Sequence, residues 1–246
     1  MAETLKVTGM VISAMPVGEY DKRLVLLTCS LGKITAFARG ARRPKSQLLA
    51  AAEPFVFGEF SLIPGRDAYT LVGAEVSNYF MELREDLTAT CYGFYFLEFA
   101  GYYARENIDG TELLKLLYQT LRILCKKIID FKLVRRIYEL KVLVCEGEYP
   151  QCFSCAVCGS SEQLAAFSFS RCAVVCENCR HKEHGLKPLH PSTIYTMQYI
   201  VSAPVEKLYT FTVSPEVFAQ LDQVMSHYLK LHVDRHFKSL DMLELL

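Results

Sequence analysis

The chain has 246 residues, and its 27 basic and 27 acidic side chains give a formal net charge of zero. A neutral total excludes a protein that coats nucleic acid by bulk charge alone. The densest apolar stretch, residues 91–103, is interrupted by Glu98 and is too short to span a bilayer. The first ten residues lack the basic and apolar segments of a signal peptide, so we expect a cytoplasmic protein with no membrane partner.

Residues 4–80 carry the pattern of β-strands. Short runs rich in β-branched and aromatic residues are separated by Gly and Pro, and they predict strands near 5–12, 23–28, 32–38, 55–63 and 69–76. Five short strands in one such segment predict a small closed barrel. The stretch 39–52, between the third and fourth runs, is predicted to be a loop with a short helix.

The period of the apolar residues becomes helical from Met81. Aromatic residues recur at helical spacing over 92–103 and leucines over 113–124, with a break at 107–111. Further helices are predicted over 131–146, 191–201 and 215–238. Ser214 is the expected N-cap of the last helix, because its hydroxyl can accept a bond from a free backbone N–H and Pro215 suits the first turn.

The cysteines point to a metal site. Six of the ten lie between residues 152 and 179, and without an export signal such a cluster favours metal over disulfides. Two C-x-x-C pairs separated by seventeen residues have the spacing of a zinc site, because thiolates three positions apart can reach one tetrahedral ion. We predict one structural Zn²⁺, with no open position for water, held by Cys155, Cys158, Cys176 and Cys179. Whether Cys152 or Cys172 replaces one of them stays open.

Basic residues concentrate between positions 22 and 49, where no acidic residue occurs. A five-stranded barrel with a basic loop is a common binding surface for single strands, since its cations follow the phosphates and its aromatic rings stack on bases. We therefore predict DNA binding by this set of seven: Lys22, Arg23, Lys33, Arg39, Arg42, Arg43 and Lys45. The alternative is a solvated loop without a ligand.

These segments resemble the amino-terminal domain of bacterial RecO proteins. The matching stretches are Gly-Glu-Tyr-Asp-Lys-Arg at 18–23, Leu-Gly-Lys-Ile-Thr-Ala at 31–36, Arg-Gly-Ala-Arg-Arg-Pro-Lys-Ser at 39–46 and Glu-Pro-Phe-x-x-Gly-Glu-Phe at 53–60. The cysteine motif in its context and the terminal Phe237-Lys238-Ser239 are similar to the same family, so the resemblance covers essentially the whole chain. Two positions depart from it: Cys172-Ala173 stands where Gly-Gly is usual, and Leu240 where an arginine is usual.

The resemblance implies an α+β protein that mediates DNA repair and homologous recombination. Its expected parts are an N-terminal five-stranded OB-fold β-barrel (1–80), an α-helical domain (81–150 and 183–246) and an inserted four-cysteine zinc knuckle (151–182). Members of the family bind single- and double-stranded DNA and anneal complementary strands. They also join RecR, contact the C-terminal tail of single-strand binding protein (SSB), and help load RecA onto SSB-coated strands.

The predicted helices carry cations that suit such a tail. An acidic peptide with a hydrophobic end needs an apolar pocket surrounded by positive charge. This role is expected of Arg122, Lys126, Lys127, Arg135 and Arg136, although a solvated helix face is an equal alternative. The aromatic face over 92–103 is more simply explained as core.

No catalytic constellation is recognisable: there is no nucleophile elbow, Walker loop, dinucleotide fingerprint or H-E-x-x-H motif. We therefore expect a protein that is not an enzyme. Two hypotheses remain. The first is a DNA-binding mediator, and the second is a zinc-ribbon adaptor that contacts only proteins.

Overall fold

The computed structural model describes residues 4–245, and its N-terminal part is the predicted barrel. The strands close in the order β1-β2-β3-β5-β4, with β3 parallel to β5 and the other pairs antiparallel. They are β1 (Leu5–Val17), β2 (Asp21–Thr28), β3 (Gly32–Ala38), β4 (Phe57–Ile63) and β5 (Tyr69–Asn78). The expected fold class, a five-stranded barrel followed by helices with a four-cysteine cluster, is confirmed.

Alternation along each strand builds the barrel core. In β3 every second residue is buried, so that Ile34, Ala36 and Ala38 point inward while the residues between them lie on the outer face. The fourth strand begins two residues later than predicted, because the left-handed φ of 73° at Phe55 lies outside the β region. The loop over 39–52 forms consecutive turns and no α-helix in the part that the structure describes.

Two helices follow the barrel and pack in the same compact unit. A 3₁₀ turn at Met81–Glu85 leads into α1 (Leu87–Tyr103), and α2 spans Thr111–Lys126. Asp86 caps α1 by accepting a hydrogen bond from the backbone N–H of Ala89. The aromatic face of α1 is buried, which confirms its interpretation as core.

The remaining elements form a second unit around a small sheet of order β7-β6-β8. They are α3 (Phe131–Cys145), β6 (Leu164–Ser168), β7 (Ala173–Cys176), β8 (Leu186–Pro188), α4 (Pro191–Ser202) and α5 (Pro215–His232). Ser214 caps α5 as predicted, through its hydroxyl and the N–H of Val217. The C-terminal end of α4 is capped from α3, because the buried ammonium of Lys141 donates to the carbonyls of Ile200, Val201 and Ala203.

The last predicted helix, over 215–238, is wrong in its C-terminal turns. The helix ends at His232, and the chain then runs without helix to Phe237 before α6 (Lys238–Glu244). Phe237 is buried against the rings of Tyr95, Phe99 and Tyr102 on α1. Burial of this ring favours the break, since it ties the terminal segment to α1 instead of extending α5.

The chain divides into two compact units, residues 1–127 with 237–246, and residues 128–236. The first therefore holds the barrel with α1, α2 and α6, whereas the second holds α3 to α5 and the cysteine-containing sheet. This grouping assigns the helices differently from the three-part division expected above, and that division stays a prediction. No helix among residues 4–245 is both long and apolar enough to cross a membrane.

Candidate functional site

The four predicted metal ligands lie together at one end of the small sheet. Cys155 and Cys158 stand in the turns before β6, Cys176 ends β7, and Cys179 follows in a 3₁₀ turn. Their sulfur atoms all lie within 4.8 Å of one another, and the Sγ atoms of Cys158 and Cys176 are 3.7 Å apart. A tetrahedral ion with Zn–S bonds of about 2.3 Å separates its ligands by roughly 3.8 Å. The donor set and its spacing therefore fit a tetrahedral ion.

The backbone around Cys155 is arranged to stabilise a thiolate. Gly159 adopts a left-handed φ of 75° and completes a turn, in which its backbone N–H donates to the carbonyl of Cys155. The N–H of Val157 points at the Cys155 sulfur, 3.4 Å away. Burial raises the pKa of this thiol, but N–H groups of Cys176, Cys158 and Val157 outweigh it and lower the pKa to about 6.

Burial has the opposite effect on Cys179, at the other side of the cluster. Burial, followed by the neighbouring thiols, raises the pKa of Cys179 to about 12. Leu164, Val175 and Leu186 pack around the sulfurs, which keeps most of the cluster away from water. Four thiolates cannot share so small an apolar space without a counter-charge, whereas a divalent ion would deprotonate all of them and close the site.

Cys152 and Cys172 lie outside this cluster. Cys152 is completely buried, and burial raises the pKa of its thiol to about 12. Cys172 has a left-handed φ of 51°, and its Sγ lies 3.5 Å from the carbonyl oxygen of Phe169. Left-handed backbone is where glycine is favoured, which gives a physical reason for the Gly-Gly usual at this place in the resembling family. The geometry thus favours the four-cysteine set without either of these two.

Some of the predicted DNA-binding side chains are bound to other groups of the protein, and others have no partner among the described residues. The ammonium of Lys22 is 2.5 Å from a carboxylate oxygen of Glu53, and its side chain is only 11 % exposed. The ammonium of Lys33 donates to the carbonyl of Gly101 at 2.8 Å. The ammonium groups of both lysines are therefore already bound within the protein. Arg23, Arg39 and Lys45 are exposed, and none of them has a partner among the described residues.

Arg42 organises the loop in which these cations lie. Its guanidinium Nη1 donates to the carbonyls of Gly18 and Glu19, at 3.3 and 3.0 Å, and its backbone N–H donates to the carbonyl of Tyr20. The segment 39–46 is thereby fastened to the β1–β2 loop. The guanidinium carbon of Arg43 lies 5.0 Å from the centre of the Tyr20 ring, a cation–π contact. Tyr20 was not among the predicted site residues; its position in the turn before a basic strand was the available signal.

The predicted peptide-binding cations are divided between the two compact units. Arg122 and Lys126 are exposed on α2 without a described partner, and Lys127 pairs with the α1 cap Asp86 at 2.6 Å. These three belong to the first compact unit, whereas Arg135 and Arg136 belong to the second.

The side chain of Arg136 is buried and paired, so it does not lie on a solvated helix face. Its guanidinium binds Glu139 on the same helix at 2.7 Å and reaches α5, where it contacts Asp222 at 2.7 Å and the hydroxyl of Ser226 at 2.5 Å. Arg135 shares the same fully buried Glu139, at 2.7 Å. Arg136 therefore ties α3 to α5, whereas the Arg135 pair lies within α3. The peptide-binding role expected of these two arginines stays a prediction.

Comparison with known proteins identifies the family. The model described as "Recombination protein O N terminal" matches residues 1–80, and that described as "Recombination protein O C terminal" matches residues 84–241. The DNA repair protein RecO of Acetivibrio thermocellus is 31% identical over 243 residues, covering 98% of this chain and 97% of the relative. Its counterpart in Alkaliphilus metalliredigens is 32% identical over 240 residues, covering 97% and 98%. The chain therefore belongs to the RecO family of DNA repair proteins.

Proposed function

We propose that this protein is a recombination mediator without catalytic activity, which binds single- and double-stranded DNA through its barrel and anneals complementary strands. The observation that carries the proposal is the set of exposed cations with no described partner, Arg23, Arg39 and Lys45, beside the Arg43–Tyr20 stack. Unpaired surface cations on a barrel of this kind are available to phosphates, whereas Lys22 and Lys33 are already bound within the protein.

The cysteine cluster is proposed to hold one structural Zn²⁺. Four thiolate ligands leave no coordination position for a substrate, so the ion would stabilise the second unit instead of catalysing a reaction. Binding such an ion supplies folding free energy, because no preformed site exists in the unfolded chain.

We further propose that RecR and the SSB tail are protein partners in the cytoplasm, and that loading of RecA is the outcome. Family membership supports this, and the exposed Arg122 and Lys126 on α2 supply charge that suits an acidic tail. An acidic tail is attracted most by cations that are not already paired with a carboxylate. Arg122 and Lys126 meet this condition, whereas Lys127 and Arg136 do not.

The proposal is tested by annealing of two complementary, fluorescently labelled oligonucleotides. The protein should accelerate annealing, and Arg43→Ala combined with Lys45→Ala should slow it. Arg84→Ala combined with Lys230→Ala removes the same charge from exposed positions outside the barrel loops and serves as the control. A wild-type protein that neither binds nor anneals DNA would contradict the proposal and favour the alternative, a zinc-ribbon adaptor for proteins alone.

A further inference from the structure

An acidic residue lies among the cations that are proposed to bind DNA. Asp21, the first residue of β2, is half-buried, and its Oδ1 accepts a hydrogen bond of 2.7 Å from the backbone N–H of Gly40. Gly40 begins the turns that carry Arg42, Arg43 and Lys45. A carboxylate at this place repels phosphates, because like charges at short range oppose binding. Charge alone therefore does not explain why an aspartate occupies this position.

The basic segment 39–46 cannot fix its own orientation on the barrel. It forms turns, and the backbone bonds within it are short-range, such as that from the N–H of Arg43 to the carbonyl of Gly40 at 3.0 Å. A turn bond restricts only the residues beside it, so a segment held by such bonds alone keeps much of its conformational freedom. Contacts with other parts of the protein must therefore decide where its cations lie.

Two side chains supply these contacts on either side of Ala41, which is fully buried in the barrel core. On one side, the carboxylate of Asp21 holds the backbone N–H of Gly40. On the other side, the guanidinium of Arg42 donates to two carbonyls of the β1–β2 loop, at 3.3 and 3.0 Å. The backbone N–H of Arg42 adds a bond of 2.9 Å to the carbonyl of Tyr20. The first half of the segment is thus fastened to the β1–β2 loop and to the start of β2.

The second half of the segment carries the cations that benefit. The guanidinium carbon of Arg43 lies 5.0 Å from the centre of the Tyr20 ring, and an open groove of about 480 Å³ is lined by these two residues with Pro44 and Lys45. Cations that are already in place bind a ligand more tightly than mobile ones, because ordering them on binding lowers the affinity. A site that adopts its competent arrangement only part of the time loses affinity by that fraction.

We propose that Asp21 and Arg42 are positioning residues, which strengthen DNA binding by holding the segment 39–46 in place instead of contacting the DNA. The inference rests on the proposed DNA-binding function. It gives an acidic residue a favourable effect on the binding of an anion, because the hydrogen bond that Asp21 accepts from Gly40 outweighs its repulsion of phosphate. It also separates Arg42, whose guanidinium is bound to carbonyls, from the cations that neutralise phosphates.

The test uses two replacements of Asp21 that remove the same charge. Asparagine keeps an oxygen that can accept from Gly40, whereas alanine does not. In anisotropy titrations of a labelled oligothymidine, Asp21→Ala should weaken binding about three- to tenfold, the effect of one lost hydrogen bond. Asp21→Asn should bind at least as tightly as the wild type. The control is Glu19→Ala, because the exposed carboxylate of Glu19 has no partner among the described residues, and it should also bind at least as tightly.

Arg42 offers a second, exposed position for the test. Arg42→Ala should weaken binding, and the double variant with Asp21→Ala should lose less affinity than the product of the two single effects, because both changes release the same segment. Trypsin should cleave after Arg39 and Lys45 faster in each single variant than in the wild type, since a released segment is more accessible. Circular dichroism confirms that the barrel of each variant is folded.

Three results would overturn the inference and leave the proposed function intact. Equal affinities of Asp21→Ala and Asp21→Asn, both at or above that of the wild type, would mean that Asp21 acts through its charge alone. Fully multiplicative effects of Asp21→Ala and Arg42→Ala would mean that Arg42 binds phosphate independently. Cleavage at the wild-type rate in both single variants would mean that neither side chain holds the segment. Wild-type protein that binds no DNA would instead overturn the proposed function, and the inference with it.

Discussion

Replacing Glu139 by glutamine should cost far more stability than any surface charge change. Glu139 is fully buried between Arg135 and Arg136, with both bonds at 2.7 Å. The substitution removes the negative charge but leaves the buried guanidinium of Arg136, whose other carboxylate partner is the half-exposed Asp222. Removing one member of a buried ion pair costs about 3–5 kcal/mol. Because Asp222 remains, we expect a loss of about 3 kcal/mol, at the lower end of that range.

The matched control is Glu177→Gln in the same compact unit. Glu177 pairs with Arg180 at the same sequence separation of three, but the two side chains are 55% and 39% exposed. Such a surface pair contributes about 0–1 kcal/mol. Urea unfolding followed by circular dichroism measures both, with an unchanged m-value and unchanged zinc content as conditions. A loss below about 1 kcal/mol for Glu139→Gln, indistinguishable from the control, would refute the reasoning about the buried network.

Three further predictions concern the metal, the terminal segment and the tail. Metal analysis should show that Cys158→Ser loses bound zinc and that Cys152→Ser keeps it, since of these two cysteines Cys158 alone belongs to the sulfur cluster. The reverse result would identify a different ligand set. Phe237→Ala should lower the free energy of unfolding by about 3–5 kcal/mol in urea, because the deleted ring is buried among aromatic rings; a loss under 1 kcal/mol would deny it a packing role. Arg122→Glu with Lys126→Glu should weaken binding of an SSB-tail peptide measured by calorimetry, and unchanged affinity in a folded variant would show a merely solvated face.

The barrel and most helices could be predicted because periodicity reports burial locally. The alternation in β3 and the helical spacing in α1 each lie within one element, so no tertiary contact is needed to recognise them. Errors arose where the backbone conformation of one residue, or a contact distant in sequence, decides where an element begins or ends. The strand predicted from residue 55 starts at Phe57 because of the left-handed backbone at Phe55, and the last helix ends early, where Phe237 is drawn into the α1 core.

The candidate site was predictable to different degrees for the same reason. The cysteine cluster follows from spacing, because the two C-x-x-C turns each preorganise a pair of ligands. Which cations are free does not follow from spacing. Arg136 looks solvated in sequence, but its partner Asp222 is 86 residues away. Lys22 is likewise neutralised by Glu53 from another part of the chain. Charge counts along a sequence therefore overestimate the cations available to a ligand.

The most direct test of DNA binding by the barrel loops is the salt dependence of affinity for a single strand. If Arg23, Arg39, Arg43 and Lys45 each neutralise one phosphate, the logarithm of the binding constant should fall with the logarithm of salt concentration with a slope of about −2.8, from roughly 0.7 per phosphate. Arg39→Ala combined with Lys45→Ala should reduce the slope by about 1.4 and weaken binding to every sequence alike. An unchanged slope and affinity in that folded double variant would contradict the account and move the DNA site away from the barrel loops.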